Sequence, residues 1–424
     1  MNLLLRSATI IDSTSPYHLK QIDILIKNGI IDLIDKKISS DSKVREMDCK
    51  GLLVSPGWFD MYACFCDPGY EYKEDINSGS LAAAAGGFTG VAVLPDTIPA
   101  LHSKSEIEYV LNKAKGNLID VYPIGAITRK CEGQELAEIY DMHHAGAIAF
   151  SDAGNPVSDS GVMMRALQYA KLFNGVIFSH PDDVNVSHGG TMNEGVTSTN
   201  LGLKGIPSLA EELMVVRDIY LAEYTQSRVH FSMISTARSV ELIRAAKKKG
   251  VNVTCGVSSI HLMFSDNELN EFDSNFKLNP PLRTKDDIAA LKAGLKDGTI
   301  DVIISAHTPQ NAELKEVEFD YADFGAINLQ TSFALANSSV GKNIGAEGLV
   351  EKFSVNPRKI LGIKIPSVNI GHEANLTVFS MEDEFIFAQE KNYSKSNNTS
   401  LFGKKFSGSV KAVINNNQFS EVKK

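Results

Sequence analysis

The sequence predicts an α/β fold: a (β/α)8 TIM-like barrel carrying a small β-sandwich built from both chain termini. Three observations predict it. Between residues 55 and 365, short aliphatic runs alternate with amphipathic helical stretches about eight times over ~300 residues, the size of such a barrel. Residues 1–54 and 366–424 read instead as short strands. No Gly-x-Gly-x-x-Gly follows the first barrel strand, which argues against a doubly wound sheet.

The N-terminal segment carries Leu3-Leu4-Leu5, Ala8-Thr9-Ile10-Ile11, Ile22–Ile26 and Ile30–Ile34, aliphatic runs split by Asp, Ser, Pro and Gly. Lys27-Asn28-Gly29 is a hairpin signal, because Asn-Gly tolerates the positive φ angles of a tight turn. The barrel strands are expected at residues 56–60, 90–95, 120–126, 146–152, 175–180, 228–233, 251–255 and 300–305. Helices are expected near 81–87, 107–114, 162–173, 209–225, 239–249 and 285–297. Ala374–Phe379 and Ser409–Ile414 would complete the sandwich, and the polar stretch Lys391–Ser400 reads as an exposed loop.

Composition narrows the class. The chain has 424 residues, a hydrophobic fraction of 43% and a net charge of -9, which argues against nucleic acid or an anionic membrane as partner. No apolar run approaches the ~20 residues that cross a bilayer, and the first residues are too briefly apolar for a secretory signal. Five scattered cysteines (Cys49, Cys64, Cys66, Cys131, Cys255) give no disulfide framework, so a cytoplasmic location is expected.

The stretch Ser55–Gly69 carries the chemistry. A Pro-Gly turn leads into an apolar strand with Asp60, and a second turn follows at Pro68-Gly69. It resembles the Pro-Gly-Phe-Ile-Asp-x-His-x-His-x-Arg-x-Pro-Gly signature of the dihydroorotases, in the amidohydrolase superfamily. The resemblance extends over nearly the whole chain. It includes Ala82–Thr89, Gly146–Asp152, Gly189–Gly195, Gly205-Ile206-Pro207, the Asn-Pro-Pro-Leu-Arg block at Asn279–Arg283, and Asp323-Phe324-Gly325.

The resemblance implies an amidohydrolase-type barrel, a zinc site at the strand ends, and a cyclic-amide substrate. Position by position, this chain departs from it. The two histidines that alternate on the first strand are metal ligands in the family; alternate residues share a face, so they can grip one ion. Here they are Tyr62 and Cys64. The bridging acidic position is retained as Asp152 and the next histidine as His180. A further histidine position is Met233, a poor ligand for zinc, and the catalytic aspartate position is Ala306, which cannot move a proton. Of the family's substrate contacts, the arginine is Cys66 and an asparagine is Asp96, while Asn279 and His307 are retained. Losing the guanidinium fork and gaining a carboxylate both oppose an anionic substrate.

Other residues read as structural. Cys64 and Cys66 read as small buried side chains rather than a metal site rebuilt with His180 and Asp152. Asn279 and Arg283 flank a turn and serve the fold as readily as a ligand. His188, His230 and His261 read as packing or surface histidines, and Lys247-Lys248-Lys249 as a solvated helix end.

The expectation is a dihydroorotase-family protein of pyrimidine biosynthesis without hydrolytic chemistry. It would have no catalytic residue and zinc at low occupancy at most. The resemblance implies a homodimer, and a role like that of inactive dihydroorotase-like chains that serve as structural partners of aspartate transcarbamoylase. The alternative is an active cyclic amidohydrolase (dihydroorotase-, hydantoinase- or allantoinase-like) with an unusual metal site on Cys64, Asp152 and His180. A third reading keeps the pocket as a small-molecule sensor built on Asn279 and His307.

Overall fold

A computed structural model describes residues 1–39 and 44–422. The two ends of the chain meet in one sheet. Strands β1 (Asn2–Ile10), β2 (Gln21–Lys27), β3 (Ile30–Asp35), β4 (Arg45–Asp48) and β5 (Leu53–Pro56) come from the N-terminal segment. Strand β1 is continuous across Arg6-Ser7, where a bulge with Ser7 at φ 56° joins the two aliphatic runs. Asn28 (φ 49°) and Gly29 (φ 79°) make the β2–β3 hairpin turn, as their residue types require.

The barrel begins with β6 (Trp58–Ala63), β7 (Phe88–Val93) and β8 (Asp120–Pro123), which pair in parallel. The next staves are β9 (Val176–Ser179), β12 (Arg228–Phe231), β13 (Val253–Ser258) and β14 (Val302–Ile304). Between β9 and β12 lies a short parallel pair, β10 (Met192–Asn193) and β11 (Gly205–Ile206). The eighth position is filled by the residues around Phe150, which bridge Gly125 on one side and Ile177 on the other. The strand expected at 146–152 is therefore a single-residue stave, not a regular strand. An Ala63–His307 bridge closes the ring.

Helices cover the outside. Ile76–Ala85 is started by a capping box on Asp75, whose carboxylate accepts from the amides of Asn77 and Ser78. Lys285–Lys296 begins with a Thr284–Asp287 capping box, and Ala237–Lys248 is capped by Thr236. Lys247, expected to be solvated, bonds Asp301 through Nζ at 2.7 Å and so ties this helix to the start of β14.

The chain returns to the first sheet through β15 (Leu376–Ile386), β16 (Lys405–Asn415) and β17 (Gln418–Glu421), with β15 pairing β5. Trp58 marks the seam between barrel and sheet. Its ring lies 4.7 Å from Phe333, 5.6 Å from Phe353 and 5.1 Å from Phe379 (ring centroids), and its indole N–H donates to Ser55 Oγ at 3.1 Å.

Lys391–Ser400 is not the exposed loop its polarity predicts. Its polar side chains are spent on the barrel mouth. Asn398 Oδ1 accepts from the Gln310 amide at 3.1 Å, and its Nδ2 donates to the carbonyls of Thr308 (3.0 Å) and Gly325 (3.1 Å). Ser394 Oγ donates to buried Glu74 and Ser396 Oγ to the Lys73 carbonyl. The segment is a strap across the C-terminal ends of the staves.

Candidate functional site at the barrel mouth

At these C-terminal strand ends lies a cavity of about 260 Å³. In barrels of this type, chemistry is placed on this face. Its lining takes residues from the ends of several staves: Tyr62 within β6 and Cys64 just beyond it, Asp96 beyond β7, Met233 beyond β12, His261 beyond β13 and Ala306 beyond β14. A larger cavity of about 360 Å³ lies elsewhere, around Arg358, Asn375 and Asn415. Arg358 there serves the fold, donating to the carbonyl of Gly57 and to Ser354 and Thr89.

Tyr62, Cys64, Asp96, Asn279, Met233 and Ala306 all line the mouth cavity. The Cys64 thiol donates to Asp96 Oδ1 at 3.3 Å. Its interaction with Cys66 and its burial push the Cys64 thiol well above its usual pKa. Burial, with Asp96 nearby, likewise raises the Tyr62 phenol, and burial raises the Asp96 carboxyl. Tyr62 and Cys64 favour their neutral forms.

Four sequence-selected residues face elsewhere. Strand β6 ends at Ala63, and Cys66 sits at φ 57°, so strand alternation does not carry to Cys66; it is buried outside the cavity lining. Asp152 turns away from His180. Its Oδ1 accepts from the amides of Ile127 (2.8 Å) and Thr128 (2.9 Å), and Oδ2 accepts from the Thr128 hydroxyl. Burial pushes its pKa up to about 6. His307 is fully buried behind the mouth, with Nε2 3.3 Å from Glu74 Oε2 and Nδ1 accepting from the Asn328 amide at 3.1 Å. His180 is buried with neither ring nitrogen hydrogen-bonded, and burial lowers its pKa, with Asp182 and Glu211 opposing.

Arg283 is a fold residue: it donates to Asn193 Oδ1 (2.9 Å), the Ile206 carbonyl (2.7 Å) and Ser235 Oγ (3.0 Å). Sequence reasoning missed Gln310 and set aside His261, both of which line the cavity. The Gln310 position lies in the same Ala-His-Thr-Pro-Gln block as His307, four residues beyond Ala306. Its side chain accepts from Lys73 Nζ at 2.7 Å and donates to the Phe324 carbonyl at 3.0 Å.

A zinc centre needs several deprotonated N, O or S donors around one point. Among the described residues, no three His, Cys, Asp or Glu side chains are grouped to hold a metal ion. Asp152 is spent on the Ile127 and Thr128 amides and the Thr128 hydroxyl, and the Met233 and Ala306 side chains offer no oxygen or nitrogen. Of the family's expected ligand positions, His180 alone keeps ring nitrogens without a partner. The donor set does not fit a binuclear zinc centre.

The fold and the place of the cavity define the class: an amidohydrolase-type barrel with an accompanying β-domain. The L-hydantoinase from Arthrobacter aurescens superposes with a TM-score of 0.86 at 21% identity, covering 99% of this chain and 95% of that one. The dihydropyrimidinase from Brevibacillus agri gives 0.84 at 20% identity, covering 99% and 95%. At such identity these likenesses show the fold alone.

Sequence relatives define the family. The dihydroorotase of Acetivibrio thermocellus is 45% identical over 393 residues, 92% of each chain. That of Geotalea daltonii is 41% identical over 416 residues, 98% of each. A family model described as dihydro-orotase-like matches residues 51–239. The chain belongs to the dihydroorotase family. Among the described residues, no helix is long and apolar enough to cross a membrane.

Proposed function

We propose that this chain is a non-hydrolytic member of the dihydroorotase family, acting in pyrimidine biosynthesis as a structural or regulatory partner, with aspartate transcarbamoylase as the partner to test. One observation carries the reading: the mouth cavity is walled by Tyr62, Cys64, Met233 and Ala306 where the family resemblance expects three metal-binding histidines and a catalytic aspartate.

The chemistry of amide hydrolysis supports the same reading. Water must be activated and a proton passed to the leaving nitrogen; a positioned acid/base supplies typically ~10²–10⁴-fold of the rate. Ala306 has no group for this, and His307, beside it in sequence, is engaged with Glu74. Cys64, Asp152 and His180 do not form an alternative centre, because Asp152 faces Thr128. A dihydroorotate carboxylate would find Cys66 where the family has an arginine, and the carboxylate of Asp96 where it has an asparagine.

The test is interconversion of carbamoyl aspartate and dihydroorotate by purified protein with added zinc. No turnover, with co-purification of aspartate transcarbamoylase, is the expected result. Turnover abolished by a chelator would overturn the reading and make Cys64 and His180 the first residues to mutate.

A further inference from the structure

The mouth cavity keeps a directional set of hydrogen-bonding groups although the family's metal positions are gone. Asp96 is the single acid among its lining residues, and no lysine or arginine lines it. Lys73, whose charge acts on Asp96, lies outside the lining, its Nζ donating to the Gln310 side-chain oxygen at 2.7 Å. Asp96 Oδ1 takes the weak Cys64 S–H donor at 3.3 Å.

His261 supplies a second acceptor. It is buried to 3% exposure, and its Nε2 lies 2.9 Å from the Pro280 carbonyl. A carbonyl only accepts, so Nε2 carries the proton and Nδ1 is left as a lone-pair acceptor. Nδ1 is buried and has no partner in the protein. An unpaired buried acceptor costs roughly 1–3 kcal/mol, so a ligand that donates to it recovers that cost. Burial also pushes the ring pKa down to about 4, so the imidazole stays neutral. The lining also includes the apolar Leu94, Met233, Ile260 and Leu278 and the Tyr62 ring, with Asn279 and Thr308 among its polar groups.

We infer that the mouth cavity is a binding site for a flat, single-ring ligand that presents N–H donors and a positive charge, of the amidine or protonated amino-heterocycle class, with Asp96 and His261 as its acceptors. A cation beside Asp96 offsets the desolvation of its carboxylate, and an aromatic ring in the lining, Tyr62, suits a cationic substituent. A carboxylated ring is excluded by the same charge. This assignment deepens the regulatory reading above and rests on it; binding is measured without turnover, so the two stand or fall on separate data.

The test is titration of the full chain with benzamidine, benzamide and benzoate, three flat rings of one shape and different charge, followed by saturation-transfer NMR and calorimetry. Benzamidine is expected to bind one to one, about tenfold or more tighter than benzamide, with benzoate not bound; a charge-assisted bond supports that ratio. Asp96→Asn is expected to weaken benzamidine about tenfold or more and leave benzamide within a few-fold. Ala306→Leu, which fills the cavity from another stave, is expected to abolish binding of both. Benzoate binding as tightly as benzamidine, undiminished benzamidine binding in Asp96→Asn or Ala306→Leu, or no benzamidine binding to the native chain would each overturn the assignment.

Discussion

His307 is turned onto Glu74, with Nε2 3.3 Å from Oε2, while Ala306, its neighbour in the chain, faces the mouth cavity. The Asn328 amide donates to Nδ1, so Nε2 carries the proton and donates to the carboxylate. Glu74 also accepts from the hydroxyls of Ser78 and Ser394 and from the Lys395 amide at 3.2 Å. This buried carboxylate joins the loop after β6, the end of β14 and the strap.

A pH dependence follows. Burial raises the Glu74 pKa, but the hydrogen bonds from His307 and the two serines more than offset it, and the net shift is downward from 4.5. As pH falls, the unfolded chain takes the proton first. The stabilisation is complete above about pH 4.5 and is lost as pH drops through the lower folded value. Glu74→Gln is expected to be less stable than the native chain at pH 7, with the gap narrowing below pH 4.5. Urea unfolding midpoints at pH 3.5 to 7 check this.

Asp60 works in the opposite direction. It is fully buried beneath β14, accepting from the Ser305 amide at 2.9 Å and from its hydroxyl, and burial pushes its pKa up to about 7. Here the folded chain holds the proton more tightly. Its contribution is full below about pH 4 and is lost as pH rises toward 7. Asp60→Asn is expected to gain on the native chain between pH 4.5 and 7.5, a trend opposite to that of Glu74→Gln, in the same unfolding series.

The strap gives a third expectation. Asn398 satisfies one amide and two carbonyls at the mouth. Asn398→Ala removes the partner of the Gln310 amide and the Thr308 carbonyl, while the Gly325 carbonyl keeps Lys315 Nζ at 3.1 Å, and a loss of roughly 1–3 kcal/mol is expected. Hydrogen exchange at the Gln310 amide is expected to rise, while the amides of β1–β3 keep their protection. Unchanged exchange at Gln310 would show that the strap does not hold the mouth.

Much of this was legible from residue patterns, because the signals are local. The alternation of apolar runs and helical stretches located seven of the barrel strands, and Asn28-Gly29 fixed the hairpin. Signals that depend on the chain's path were not legible. Period-2 alternation holds only while a strand continues: β6 stops at Ala63, so Cys66 leaves the face that Tyr62 and Cys64 share in lining the cavity. The residues around Phe150 look like a strand by composition but make single bridges. Asp152 kept its identity while its carboxylate went to Thr128, and Lys391–Ser400 is polar because it bonds the barrel, not because it faces water. Gln310 lies in the Ala-His-Thr-Pro-Gln block, but its place in the lining, like that of His261, is found only when the stave ends are brought together.

The most direct test of the central claim is turnover measured side by side on two proteins. One is the native chain; the other carries Tyr62→His, Cys64→His, Met233→His and Ala306→Asp, which restore the family's residue types around the same cavity. Both are assayed with excess zinc for interconversion of carbamoyl aspartate and dihydroorotate. No turnover by the native chain is expected, with any gained activity confined to the restored variant. Chelator-sensitive turnover by the native chain would contradict it.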